Sequence, residues 1–129
     1  MDHRQRLRKW GLSLAGVILI ITALLHGAGY ASLLEEMNKV ALQPAWASGV
    51  KALWLTFSAH LLILAVLLLT AAVKPASMDR RALAVCGLIP ASDTVLLLGT
   101  VGVFVGSVLL GVTTLAICAA LAAGTPTSQ

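Results

Sequence analysis

Between Ala82 and Gly124 one residue in 43 carries a charge, Asp93. As a single helix rising 1.5 Å per residue this stretch would be about 64 Å long, twice the ~30 Å hydrocarbon core of a bilayer. It must therefore fold back on itself within a membrane. Gly99, Thr100, Val101 and Gly102 are the natural tight turn, which predicts a third span over 82–98 and a fourth over 103–123.

Two further apolar runs precede it. The first, Trp10 to Ala31, contains no Lys, Arg, Asp or Glu and predicts a span over 10–31; the second predicts a span over 50–73. A chain that is 59% hydrophobic and 11% charged also departs from soluble domains, which sit near half apolar and a quarter charged. The fold class expected is all-α: an integral membrane four-helix up-and-down bundle, multi-pass, with a basic segment at 1–9, a connector at 32–49, a basic loop at 74–81 and a tail at 124–129. The first run also admits a competing reading as a cleaved signal peptide, because a basic start, apolar residues from Leu12 to Leu25 and small residues at Gly29 and Ala31 fit that pattern. Cleavage would leave an odd three-span remnant.

Charge fixes the expected orientation. Seven of the nine basic residues lie at Arg4, Arg6, Arg8, Lys9, Lys74, Arg80 and Arg81, whereas the connector and Lys51 hold two, offset by Glu35 and Glu36. The positive-inside rule puts the basic side in the cytoplasm, giving N-in/C-in topology in a bacterial-type inner membrane. The partner of this charge is the anionic headgroup layer of the lipid bilayer, not nucleic acid. In the connector, Ser32 precedes Glu35 at capping-box spacing, and Leu33, Leu34, Met37, Val40 and Ala41 share one side, so an amphipathic surface segment is expected until Gln43 and Pro44 end it. Trp10, Tyr30, Trp46 and Trp54 fall near the span ends, as interfacial aromatic belts do.

Cys86 and Cys118 lie in apolar runs without a CxxC or Cys/His cluster, which excludes a disulfide framework and reads as packing. No metal and no cofactor is expected: His26 and His60 differ in depth by about 6 Å, awkward for two ligands on one iron, and no tight ligand motif is present.

Ionisable groups within a span are expensive and face protein or a wet cavity. Three stand out, His26, His60 and Asp93. Measured from the outer span edges, His26 and Asp93 lie about 9 Å deep and His60 about 15 Å. These are the candidate catalytic residues, and Asp93 is expected to reach His26, with His60 as second choice. Thr22, His26 and Tyr30 recur every four residues, and Thr56 precedes His60 by four. Thr22, Tyr30, Trp54 and Thr56 are accordingly the candidate substrate-binding residues. Pro90, three residues before Asp93, removes a backbone N–H and leaves a carbonyl one turn earlier free for another partner; a broken, locally hydrated helix is one way to accommodate the carboxylate there.

Gly99, Gly102 and Gly106 are the expected helix-packing residues, the last two forming a GxxxG step, with Gly27 and Gly29 as the receiving side on the first helix. That spacing predicts close packing within the monomer or a seam between copies, so a homo-oligomer or a larger membrane complex is the expected partner. The function expected is that of a small non-catalytic accessory or assembly component with a polar intramembrane cluster. Two alternatives use the same residues: a small proton-coupled transporter, and an intramembrane enzyme in which Asp93 and His26 or His60 act as acid and base on a lipid-soluble substrate.

Overall fold

The computed structural model describes residues 3–124. Its regular elements are helical: α1 (His3–Ala28), α2 (Tyr30–Lys39), α3 (Pro44–Val73), α4 (Arg80–Thr100) and α5 (Val105–Ala122), with a single 3-10 turn at Pro75–Ser77. No strand is present among the described residues. Four stretches are long and apolar enough to cross a membrane: His3–Lys39, Pro44–Val73, Arg80–Thr100 and Val105–Ala122. The tail at 125–129, read from sequence as cytoplasmic, lies outside the described residues.

Local chemistry sets the helix ends. Gly29 closes α1, its N–H reaching the carbonyls of Leu25 and His26. Asp79 caps α4 by accepting from the Ala82 N–H at 2.7 Å. Between α4 and α5, Gly102 takes φ +93°, a conformation open to glycine, and lets the chain reverse. The Ser107 hydroxyl then accepts from the Phe104 N–H at 3.0 Å and starts α5.

The connector differs from the expectation. Its helix begins at Tyr30, directly after α1, and no side chain caps it; Ser32 is exposed. Pro44 does not end this helix but occupies the first turn of α3, where its missing N–H would have had no partner. That moves the start of the second long helix from 50 to 44. Near Asp93, α4 runs unbroken through Pro90, so the carboxylate is not accommodated by a break in the helix. Thr94 instead donates to the Pro90 carbonyl at 2.6 Å and Ser92 to Ile89 at 2.8 Å.

α1 packs against both α3 and α5, and α5 packs against α4, whereas α3 and α4 do not pack along their lengths. Lipid offers no hydrophobic drive between helices, so contact depends on close backbone approach. Glycine supplies it between α1 and both of its neighbours, and between α4 and α5 it makes room for a side chain. A Cβ on Gly11 would sit 2.9 Å from the Ala116 carbonyl oxygen of α5, one on Gly16 3.2 Å from the Ala65 carbonyl oxygen of α3, and one on Gly87 3.0 Å from Ile117 Cγ2. Within the monomer Gly99, Gly102 and Gly106 do not serve this purpose. Gly102 lies in the turn, so no helical GxxxG face exists; Gly99 faces open space, and Gly106 makes room for the Phe104 ring of its own turn. Gly29 receives Trp54 of α3, 3.1 Å from its would-be Cβ.

Buried residues concentrate toward the end of the bundle that carries the 74–79 loop, here the basic end. Leu12, Ala15, Leu19, Leu64, Ala65, Leu68, Ala71, Ile117 and Ala120 fill it. Arg8 closes it: its side chain is 3% exposed, and its guanidinium donates to the carbonyls of Met78 at 3.1 Å and Pro75 at 3.4 Å. Sequence alone treats Arg8 as one of several charges facing headgroups. The structure turns it inward, where it satisfies the backbone of the short loop between α3 and α4.

Candidate functional site

The opposite end, where α1 meets α2, is built around aromatic rings. Trp54, Phe57 and His60 recur every three residues on α3 and so line one side of it. His26, two residues before the end of α1, stacks on Trp54 with ring centroids 4.0 Å apart and planes 17° from parallel. Phe57 tilts against His26 at 4.8 Å, and its ring meets His60 edge-on at 4.9 Å. Trp54 also donates its indole N–H to the His26 carbonyl at 2.9 Å, capping the last turn of α1. Phe57 escapes a search for polar groups, yet its spacing midway between Trp54 and His60 is the signal that places it.

This ladder ends on α4. His60 Nε2 lies 3.2 Å from Asp93 Oδ2, and the two side chains are 33% and 18% exposed. The partner of Asp93 is therefore His60, the second choice from sequence, and His26 makes no contact with it among the hydrogen bonds of the described residues. The reason lies in where depth is measured. α3 and α4 share a floor, the loop at 74–79, and both His60 and Asp93 stand thirteen residues above it, level at about 20 Å. At the other end α3 has 30 residues to the 21 of α4, so depths counted from the outer edges do not match.

Beside the ladder, a cavity of about 530 Å³ opens between the ends of the four long helices. Thr22, Leu25 and His26 of α1 form one wall, and Val50, Leu53, Trp54 and Phe57 of α3 another. Leu97 of α4, Val101 and Phe104 of the turn that follows it, and Leu109 and Leu110 of α5 complete it. Ends of opposite chain direction meet there, so neighbouring helices run alternately up and down. Its surface is almost wholly apolar. Thr22 uses its hydroxyl on the Ile18 carbonyl of its own helix at 2.8 Å, and His26 Nε2 is buried without a partner.

Of the residues proposed for substrate binding, Thr22 and Trp54 line this cavity; Tyr30 and Thr56 do not, and Thr56 is exposed on α3. Neither His60 nor Asp93 lines it. The arrangement thus separates two elements: an imidazole–carboxylate pair able to share a proton between α3 and α4, and an apolar cavity that presents almost no polar surface. No group of three or more His, Cys, Asp or Glu able to hold a metal occurs among the described residues. No family model matches this chain, and no curated protein or solved structure matches it either.

Proposed function

We propose that this chain is a small multi-pass inner-membrane protein, oriented with both termini in the cytoplasm, that acts as a non-catalytic accessory or assembly component. In this reading the His60–Asp93 pair is a clasp between α3 and α4. The observation that carries it is position: the pair bridges the two consecutive long helices that lack packing along their lengths, and it stands outside the cavity. A carboxylate within a span is unfavourable by roughly 3 kcal/mol unless it finds a partner, and an imidazole from the facing helix meets that need.

The orientation is supported by the side on which charge accumulates. The start of α1, with Arg4, Arg6, Arg8 and Lys9, and the start of α4, with Arg80 and Arg81, lie at the same end. Assembly is supported by α4, which buries only Leu83 and Pro90 and exposes Val85, Leu88, Val95 and Leu96. Such a face suits lipid or a helix of a larger complex. An enzyme needs its acid and base within reach of one substrate, and these two do not border the cavity. A transporter needs a route through the basic end, where Leu12, Leu19, Leu68 and Ile117 are fully buried.

Asp93→Asn against Asp93→Leu in the native membrane tests this, read by the amount of chain and the size of the complex in native gels. The Asn variant is expected at wild-type level in the same complex, because an amide still bonds His60; the Leu variant is expected to fall in both. An Asn variant that folds and assembles normally, yet fails to complement deletion of the gene, would overturn the reading in favour of proton handling.

A further inference from the structure

At the basic end, Arg8 turns into the bundle together with Leu12, Ala15 and Leu19. A helix advances about 100° per residue, so Arg6, Trp10 and Ser13 stand on the opposite side of α1, with Lys9 flanking them. These four side chains line a groove of about 460 Å³. No other element contributes to it, and its walls are two cations, an indole and a hydroxyl. Arg4 falls outside it, about 160° around the helix from Arg6.

The charges in this groove call for an anion. Arg6 and Lys9 are exposed and three residues apart on one helix, where like charges repel. No carboxylate among the described residues pairs with either, and Asp79, the acid at this end, is spent on the Ala82 N–H. The hydroxyls of Thr22, Thr70 and Thr113 donate to the carbonyl four residues back; that of Ser13 makes no such bond among the described residues and can donate into the groove. What lies below the groove says which anion. Trp10, 72% exposed, stands about 6 Å deeper than Arg6, where aromatic rings mark the membrane interface. Val17, Ile21 and Leu24, 45% to 64% exposed, continue the same side of α1 toward the bilayer centre.

From this we infer that Arg6, Lys9, Trp10 and Ser13 form a discrete site for the headgroup phosphate of one anionic phospholipid, whose acyl chain lies along Val17, Ile21 and Leu24. Basic pockets at the ends of spans recognise anionic headgroups in this way. A soluble phosphate ester offers the same anion, but the apolar track beneath the two cations favours the lipid. A zwitterionic headgroup is disfavoured, because its own cation would meet Arg6 and Lys9. The site goes beyond the accessory role: it rests on the membrane placement proposed above and owes nothing to the His60–Asp93 clasp. It also divides the basic residues of the first segment by task, with Arg8 locking the loop and Arg6 and Lys9 holding lipid.

Native mass spectrometry counts the lipids held by the full-length chain as it leaves detergent micelles, whichever way the chain is oriented in a membrane. In a titration with phosphatidylglycerol, the first molecule is expected to bind more tightly than the second, and more tightly than phosphatidylcholine. Arg6→Gln and Lys9→Gln are each expected to weaken that first step about fivefold, and the double variant about 25-fold. Both residues are exposed, so the variants are expected to keep the parent's thermal midpoint without lipid. Arg6→Lys, which keeps the charge, is expected to bind like the parent. Arg4→Gln removes the same charge from another side of α1 and is expected to leave the first step unchanged, and glycerol phosphate in large excess is expected not to displace the lipid. The proposal is overturned if Arg4→Gln weakens binding as much as Arg6→Gln, which would make the attraction diffuse. It is equally overturned if phosphatidylcholine binds as tightly as phosphatidylglycerol, or if glycerol phosphate competes, which would make the groove a site for soluble anions.

Discussion

The two ends of this bundle are built from the same kind of apolar helix and arrive at opposite densities. At the basic end, small residues let backbones touch: Gly11 and Gly16 accept carbonyls of α5 and α3, and alanines at 15, 65, 71 and 120 are buried around them. At the connector end, Trp54, Phe57, Phe104 and His26 stand between the helices and hold them apart around a cavity. Total hydrophobicity does not distinguish the ends, since both are apolar enough for lipid. What differs is side-chain size at the contacts, the quantity that decides helix association where no hydrophobic effect operates.

Overfilling the dense end should have the largest effect. Gly16→Leu places a side chain where Ala65 O lies 3.2 Å from the Cβ position; about 3 kcal/mol of stability should be lost, as for severe overpacking, measured by unfolding in mixed micelles. Leu68→Ala at the same end, starting from a fully buried side chain, should cost about 2–4 kcal/mol through the cavity it leaves. Equal tolerance of Gly16→Leu and of a large substitution at the open end would erase the contrast.

Next in size is the lock on the loop. Arg8→Met keeps the stem but abandons the carbonyls of Pro75 and Met78; about 2 kcal/mol should be lost, with amide exchange accelerating at 75–79 and not at the connector end. Uniform acceleration would mean Arg8 supports the whole bundle and not its floor.

Smallest is the response of the turn and its rim. Gly99→Ala meets no atom within 4 Å and should change stability by less than about 0.5 kcal/mol, with the thermal midpoint as readout. A loss like that of Gly16→Leu would point to a neighbour packed on Gly99 in the membrane.

Much of this architecture is legible in the sequence, and the limits have physical causes. The length of a charge-poor run forces a reversal, and glycine marks where it falls, so the turn at Gly102 follows from the chain itself. Which helices touch does not follow, because apolar residues surround every span and periodicity leaves no stripe to read. Gly11 and Gly16 look no different from Gly99 or Gly106 until a neighbour's backbone is placed beside them. Pro44 reads as a stop, but it serves equally as a start, and that ambiguity moved the edge from which depth was counted. His60 and Asp93 find each other because the short loop between α3 and α4 makes a common floor, a constraint visible in loop length but not in the apolar boundaries.

The central claim is that one imidazole–carboxylate contact holds α3 and α4 together where packing does not. It is tested most directly by the distance between spin labels at Leu55 on α3 and Val95 on α4, both exposed, in a chain whose Cys86 and Cys118 are replaced by alanine. Parent and Asp93→Asn should give the same narrow distribution, and Asp93→Leu a broader and longer one. An Asp93→Leu variant with the parent's narrow distribution would contradict the claim.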